Sequence, residues 1–162
     1  MIFVTMKVTL ISIGKTKESY LKSGIDEYIK RLGRYIKFEY KELSDIKGGS
    51  KLSQLEVKRE EAKCFDKLIT PSDFLVLLDE NGKHYTSVEF AEWWQNKALV
   101  STKHVVLLIG GAYGFDDSLY KRANGKIAFS KMTFSHQMIR LFVVEQLYRA
   151  QTILKGEPYH HK

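Results

Sequence analysis

The sequence predicts an α/β domain with three layers and a mostly parallel sheet in the middle. Three apolar runs lack the alternation of a strand with one wet face, which is typical of strands covered on both sides: residues 6–13, 74–78 and 104–109. Between them, apolar residues recur at helical spacing. At 162 residues the chain is expected to be a single domain, 1–162, with residues 1–5 as an N-terminal extension if Met6 is the true start.

The first half of the chain predicts two strands and two helices. Residues 6–13 form a buried strand that Gly14 closes, and residues 17–35 carry apolar side chains at helical spacing. Residues 38–41 alternate as a second strand, and the polar stretch 44–51 is a loop. Residues 52–69 form an amphipathic helix whose inward positions are expected to be Leu55, Ala62, Phe65, Leu68 and Ile69.

The second half predicts three more strands and three helices. A strand at residues 74–78 turns at 79–82, and Thr86 with Glu89 has the spacing of a capping box that opens the next helix. The central strand 104–109 follows, then a short helix near 117–122 and a short strand near 127–130. A long helix from about residue 136 to 154 is stopped by Gly156 and Pro158.

The last helix is apolar around most of its circumference. A helix of this kind must be buried on more than one side. In a domain of this size a second chain is the expected cover, so the sequence predicts a homodimer. The apolar positions are Met138, Ile139, Leu141, Phe142, Val143, Val144, Leu147, Tyr148, Ile153 and Leu154.

The net charge of +7 is unevenly distributed along the chain. Residues 1–60 carry thirteen Lys and Arg against eight Asp and Glu, and residues 115–162 carry eight against four, whereas residues 61–114 are mildly acidic. This pattern favours a polyanionic partner, nucleic acid before membrane, although an ordinary solvated basic surface has the same composition.

The single cysteine and the lack of long apolar runs point to a compartment. Cys64 alone cannot form an intrachain disulfide or a cysteine-based metal cluster, which fits a reducing environment. The first residues lack the basic leader and cleavage site of a signal peptide. No apolar run approaches the ~20 residues of a membrane span. We therefore expect a cytoplasmic protein with no membrane association.

The central strand ends in three glycines, Gly110, Gly111 and Gly114. Ligands of open α/β sheets bind at the carboxyl ends of strands, so these glycines mark a candidate site, although a plain glycine-rich turn fits them equally. The spacing matches neither G-x-G-x-x-G nor a P-loop, and the acidic ribose-binding residue of an NAD-dependent enzyme is absent ~20 positions later. Bulk at Gly110 is expected to intrude on a bound ligand.

No familiar catalytic motif of hydrolases or metalloenzymes is present. The chain contains no H-E-x-x-H and no G-x-S-x-G. Cys64 lies on the inward side of a helix, where a core role is the simpler interpretation. Glu145 and Arg149 have the spacing of an ordinary intrahelical ion pair.

Four motifs in order nevertheless carry a family resemblance: LLIGGAYG at 107–114, FSKMTFSH at 129–136, EQLYRA at 145–150 and PYH at 158–160. Together they resemble the ribosomal RNA large subunit methyltransferase H family, in the SPOUT (trefoil-knot) superfamily. The opening KVTLISIGK at 7–15 and the strand 75–79 fit as well. The resemblance spans the chain from Met6 onward.

The resemblance implies an enzyme that uses S-adenosyl-L-methionine to methylate N3 of a pseudouridine in 23S rRNA of the large ribosomal subunit. It also implies a homodimer and a C-terminal trefoil knot, which periodicity alone would never predict because threaded connections are so rare. By position, Tyr159 and His160 would act at the target nucleotide. The implied cofactor contacts are Leu78, Gly110, Phe129, Ser130, Lys131, Met132, Thr133 and Phe134.

The chain departs from a common form of the family at two places. His161 and Lys162 stand where an Arg-Glu pair is usual, which removes the arginine from any expected role, and Ser135 stands where many members have proline.

The chemistry of this reaction suits the residues present. Methyl transfer from a sulfonium requires alignment of donor and acceptor and needs neither a metal nor a protein nucleophile. A near-neutral imidazole such as His160 is a candidate base. The tail beyond Gly156 and Pro158 is expected to be free of the core and able to bend over a pocket. The alternative is a non-catalytic RNA-binding or ribosome-assembly factor, which would not bind S-adenosylmethionine.

Overall fold

The computed structural model describes residues 6–98, 100 and 103–161, so the expected extension 1–5 and Lys162 of the tail lie outside the described residues. The strands in this part are β1 (Lys7–Ile13), β2 (Lys37–Leu43), β3 (Phe74–His84), β4 (His104–Ile109) and β5 (Gly125–Ala128). The α-helices are α1 (Ser19–Leu32), α2 (Gln54–Asp66), α3 (Ser87–Trp93), α4 (Asp117–Arg122) and α5 (Met138–Leu154). A π-helical turn, Trp94–Ala98, continues α3.

The described strands form one parallel sheet in the order β2-β1-β4-β3-β5. The β4 strand lies in the middle, paired with β1 on one side and with β3 on the other. The predicted α/β class with its parallel sheet is therefore confirmed. The strand order does not test the trefoil knot, which stays a prediction from the resemblance.

The sheet is covered on both faces, as the continuous apolar runs of β1, β3 and β4 require. One face packs against α1, α3 and α5 around Leu10, Val76 and Leu107. The other face packs against α2 and α4 around Ile11, Leu77 and Leu108. Alternate residues of each strand thus point into separate apolar layers, which confirms the three-layer arrangement.

The β3 strand is longer than the sequence predicts. The predicted turn at 79–82 is part of the strand, which shifts its register against β5 between Leu78 and Lys83. Gly82 makes this irregularity sterically feasible, because a Cβ there would lie 2.6 Å from the backbone nitrogen of Ile127. The bulge therefore keeps β3 paired with β5 while residues 79–81 leave the regular ladder.

The helix ends follow the predicted signals, with one error of phase. Thr86 and Glu89 form the expected capping box of α3, and Gly156 adopts a positive φ of 68° just after α5. In α2, however, Leu55 is 49 % exposed, whereas Glu61 is buried. The prediction that Leu55 points inward is wrong, whereas Ala62 and Phe65 are buried as predicted, and Glu61 lies on the same buried face of α2.

None of the helices in the described part of the chain is long and apolar enough to cross a membrane.

Candidate active site

A cavity of about 470 Å³ opens at the carboxyl end of β4 and at the neighbouring bulge of β3. Three segments form its wall: residues 78–81 at the bulge of β3, the glycine loop 110–115 that follows β4, and residues 127–134 that lead from β5. Tyr120 of α4 with His136 and Ile139 near the start of α5 complete the wall. This position is where a ligand of a parallel α/β sheet is expected.

Seven of the eight residues predicted to contact a cofactor line this one cavity: Leu78, Gly110, Phe129, Ser130, Met132, Thr133 and Phe134. The eighth, Lys131, is exposed and lies outside the wall. Segments far apart in sequence thus meet around one space. Their role in binding remains a prediction.

The glycine loop is tightly folded on itself. Gly114 has a φ of 82°, and its backbone amide donates to the carbonyl of Gly111 at 3.2 Å. A Cβ on Gly110 would lie 3.2 Å from the Phe115 ring and 3.3 Å from the Gly114 carbonyl oxygen. A side chain at Gly110 would therefore press on its own loop, and the expectation that its bulk would also intrude on a bound ligand stays a prediction.

The bulge in β3 brings a carboxylate to the cavity. The Tyr120 hydroxyl donates to Oδ2 of Asp79 at 2.5 Å, and both residues line the wall. Burial of the phenol and its hydrogen bond to Asp79 raise the pKa of Tyr120 to about 12, so it stays a donor at neutral pH. The sequence did not single out this pair.

The wall of the cavity is acidic in a protein of net charge +7. Among the described residues, Asp79 and Glu80 are its carboxylates, and no Lys or Arg lines it. Apolar surface is supplied by Leu78, Phe129 and Ile139, among others. An apolar cavity with carboxylates at one side suits a ligand that combines an aromatic group with positive charge, and S-adenosylmethionine is such a molecule.

A buried arginine holds the start of α5 beside the cavity. Arg140 is 1 % exposed, and its Nε donates to the carbonyl of His136 at 2.9 Å. Its Nη atoms donate to the carbonyls of Ile13 and Gly14, both at 2.8 Å. His136 lines the cavity, so Arg140 ties the cavity wall to the end of β1.

The charge of Arg140 is balanced by Glu42 at 2.9 Å. Burial disfavours the carboxylate of Glu42, but hydrogen bonds from Thr16 and Tyr40 and the Arg140 guanidinium outweigh it and lower the pKa of Glu42. Glu42 is therefore ionised at neutral pH, and the ion pair is complete.

The C-terminal tail packs against its own chain at the other end of α5. The Tyr159 hydroxyl donates to Glu145 at 3.0 Å and lies 3.2 Å from the Tyr28 hydroxyl. The ring of Tyr159 makes an edge contact with Tyr148 and lies under the Arg149 guanidinium. Burial and the hydrogen bonds to Tyr28 and Glu145 raise the pKa of Tyr159. We call these residues the tail cluster: Tyr28, Glu145, Tyr148, Arg149, Tyr159 and His160.

His160 takes part through one ring nitrogen. Arg149 Nη1 lies 3.2 Å from His160 Nδ1. Because a guanidinium only donates, Nδ1 is the acceptor and the proton of the neutral ring is assigned to Nε2. In this arrangement the lone pair of the imidazole is occupied, and His160 must leave Arg149 before it can accept a proton at Nδ1.

The expectation that the tail is free of the core is therefore wrong for this chain. Tyr159 and His160 are half-buried, and neither lines the cavity. The predicted intrahelical ion pair of Glu145 and Arg149 is confirmed, since the two side chains form an i,i+4 pair at 2.7 Å. The sequence missed that the same pair also anchors the tail.

No group of three His, Cys, Asp or Glu side chains that could hold a metal ion occurs among the described residues.

Comparisons with known proteins indicate the family to which the chain belongs. The profile of a family described as "Predicted SPOUT methyltransferase" matches residues 6–160. Two proteins named ribosomal RNA large subunit methyltransferase H are similar over their whole length: that of Cytophaga hutchinsonii is 54 % identical over 96 % of this chain, and that of Flavobacterium psychrophilum is 52 % identical over 97 %. That of Bacteroides fragilis is 46 % identical over 97 % of the chain and over all of its own length. A match from residue 6 to residue 160, with relatives this similar, places the chain in the SPOUT methyltransferase family.

Proposed function

We propose that this protein transfers a methyl group from S-adenosyl-L-methionine to N3 of a pseudouridine in 23S rRNA of the large ribosomal subunit, in the cytoplasm. The relatives named ribosomal RNA large subunit methyltransferase H support the substrate class. Identity near one half over the whole chain is the basis for extending their activity to this protein.

The observation that carries the cofactor proposal is the cavity at the carboxyl end of β4 and the bulge of β3. It gathers Leu78, Gly110 and residues 129–134 except Lys131 around about 470 Å³. Its carboxylates, Asp79 and Glu80, complement the positive charge of a sulfonium.

The contribution of the chain to such a reaction is alignment and proton handling. When bound, S-adenosylmethionine supplies an electrophilic methyl group, whose S–C bond breaks as the new N–C bond forms. The cavity wall orients the donor, and the half-buried side chain of Phe129 supplies apolar surface to that wall, whereas Met132, which also lines it, is 77 % exposed. His160 is the proposed base for the N3 proton, once it has left Arg149.

We further propose that two copies of the chain form the active enzyme. Phe134, which lines the cavity, and Phe142 of α5 are both exposed, and their rings make a tilted contact with centroids 4.7 Å apart. An exposed apolar pair of this kind is a candidate interface. The tail cluster lies away from the cavity of its own chain. We therefore propose that the tail that reaches each cavity comes from the second copy of the chain.

The RNA partner fits the charge of the chain. The chain as a whole carries a net charge of +7, whereas the wall of the cavity is acidic. This distribution favours phosphate contacts on the surface and a cationic ligand inside the cavity.

Mass mapping of rRNA from cells with and without this gene tests the proposal. We expect one methyl group on a pseudouridine of 23S rRNA that disappears with the gene and returns when purified protein and S-adenosylmethionine are added to the undermethylated ribosomes. Identical rRNA masses in both strains, together with no binding of S-adenosylmethionine in calorimetry, would instead indicate a non-catalytic RNA-binding or assembly factor.

A further inference from the structure

A buried carboxyl group lies directly behind the glycine loop. Glu61 of α2 is 4 % exposed, and its Oε1 has no hydrogen-bond partner in the part of the chain that the structure describes. A buried polar atom without a partner is costly, so one that persists requires an explanation.

The contact between Glu61 and the loop is close enough to exclude a side chain at Gly111. A Cβ on Gly111 would overlap Oε2 of Glu61 and would lie 2.8 Å from Oε1. The backbone of Gly111 in turn lines the cavity, whereas Glu61 does not. One residue of backbone therefore separates this carboxyl group from the cavity.

The charges around Glu61 leave it without a cation. Burial, followed by the negative charge of Asp45 on the loop after β2, raises the pKa of Glu61 to about 7. On α2 itself, Lys63 pairs with Glu60 at 2.8 Å, and the positive charges of Lys58 and Arg59 act on the carboxylate of Asp116. The titratable side chains on the cavity side are Asp79, Glu80, Tyr113, Tyr120 and His136, none of which is a permanent cation.

We propose that Glu61 is a positioning residue of the cavity, which supports Gly111 from behind and becomes ionised when a cationic ligand occupies the other side of the loop. This inference rests on the proposed function, because S-adenosylmethionine is the cation we place there. The ligand supplies the positive charge that the described surroundings of Glu61 lack. Binding of the ligand and loss of the Glu61 proton are then linked.

The linkage has a defined sign. Below pH 7 the carboxyl group is protonated, so part of the binding free energy is consumed in removing its proton. Above pH 7 the carboxylate is already present, and the affinity reaches its maximum. If the ligand lowers the pKa of Glu61 by one unit, the affinity rises about tenfold between pH 5.5 and pH 8.

Calorimetric titration with S-adenosylmethionine tests the proposal in three proteins: wild type, Glu61→Gln and Glu60→Gln. The amide of glutamine keeps the shape of the protonated acid but cannot ionise. Glu60→Gln is the matched control, since it removes the neighbouring carboxylate from the same helix. Titrations at pH 7 in two buffers of different ionisation enthalpy count the protons released.

We expect wild type and Glu60→Gln to bind about tenfold more tightly at pH 8 than at pH 5.5, with proton release at pH 7. Glu61→Gln should bind like wild type at pH 5.5 but about tenfold more weakly at pH 8, with less proton release. The amino group of the ligand titrates equally in all three proteins, so the difference isolates Glu61. S-adenosylhomocysteine, which lacks the sulfonium charge, should show a smaller difference.

A Glu61→Gln curve that is parallel to that of wild type at every pH would overturn the proposal, because a purely structural role weakens binding without changing its pH dependence. If Glu61→Gln does not fold, carboxyl carbon NMR of the wild-type protein decides, since the titration midpoint of Glu61 must fall when S-adenosylmethionine is added. Absence of binding by wild type at all pH values would instead overturn the proposed function, on which this inference rests.

Discussion

The two ends of α5 each carry an arginine paired with a carboxylate, and the two pairs differ in almost everything else. At the cavity end, Arg140 lies 2.9 Å from Glu42 and is 1 % exposed. At the tail end, Arg149 lies 2.7 Å from Glu145, and its side chain is 24 % exposed. By distance alone the second pair would rank as the stronger.

The partners of each arginine show which ion pair is fixed in place and which one can open. Arg140 also donates to the carbonyls of Ile13, Gly14 and His136, which belong to the backbone and cannot turn away. Arg149 makes its other contacts with side chains of the tail, Tyr159 and His160. The comparison teaches that burial and main-chain partners decide whether an ion pair is structural, while a similar pair at the surface can hold a movable segment.

The largest expected effect is that of Arg140→Met on stability. This change leaves the buried carbonyls of Ile13 and Gly14 and the partly buried carbonyl of His136 without their donor and removes the buried partner of Glu42, so we expect the free energy of unfolding to fall by about 3–5 kcal/mol. Arg149→Met, the matched variant, should lose less than about 1 kcal/mol, because its pair is partly solvated. Urea unfolding of both proteins checks the difference, and equal losses would contradict the distinction between the two ends.

The next largest effect concerns catalysis at the tail end. His160→Asn removes the proposed base, and we expect methyl transfer to ribosomes to fall about 100-fold. The affinity for S-adenosylmethionine should be unchanged, because His160 does not line the cavity. Single-turnover rates with calorimetry on the same samples provide the measurement. The control is His161→Ala at the exposed neighbouring position, and comparable losses in both variants would remove the specific role of His160.

The same contrast shows how far the sequence predicts this molecule. Apolar runs and helical spacing predicted the layers, the parallel sheet and the capping box of α3, because these depend on local patterns that repeat over several residues. The segments around the cavity came from a family resemblance and not from periodicity. Nothing local indicates that Leu78, Gly110 and Phe134 share one wall.

The errors arise where a single residue breaks a pattern. Arg140 is the lone charge among the first seven residues of α5, and this isolation in an apolar stretch is the sequence signal for a buried structural role. Glu61 lies on the buried face of α2, although the pattern of apolar residues predicted Leu55, and no charged residue, on that face. The bulge of β3 looks like a turn because residues 79–82 are polar and include glycine, yet Gly82 is needed there for close approach to β5. Tertiary contacts decide each of these positions.

The pH dependence of stability tests the ion pair at the cavity end of α5 through its carboxylate, Glu42. Glu42 has a lowered pKa in the folded protein, so its ionised form contributes stability above the ordinary value of 4.5. That contribution is lost as the pH falls through the lowered pKa. We expect Glu42→Gln to cost about 2 kcal/mol at pH 7, from the lost charged hydrogen bonds.

The cost of Glu42→Gln should shrink as the pH falls below 4.5, because the carboxyl group of the unfolded wild-type chain then becomes protonated, and the loss is complete once the pH has passed the lowered pKa of the folded protein. Denaturant unfolding at pH 7 and at several acidic values measures this. A cost that is constant down to the acid limit would mean that Glu42 stabilises through shape alone and not through its charge.

Apart from the matched variant Arg149→Met, the smallest effect is expected from Tyr159→Phe, which removes one hydroxyl from the tail cluster. The ring keeps its edge contact with Tyr148 and its place under Arg149, so only the hydrogen bonds to Glu145 and Tyr28 are lost. For a half-buried hydroxyl this costs about 1 kcal/mol. Tyr159→Ala, which also loses the ring, should cost more and should weaken methyl transfer further if the ring stacks on the target base. The free energies of unfolding of both variants, measured beside Arg140→Met, complete the ranking. A loss from Tyr159→Phe as large as that from Arg140→Met would mean that the tail is as fixed as the cavity end, and a tail fixed in this way could not release His160 from Arg149.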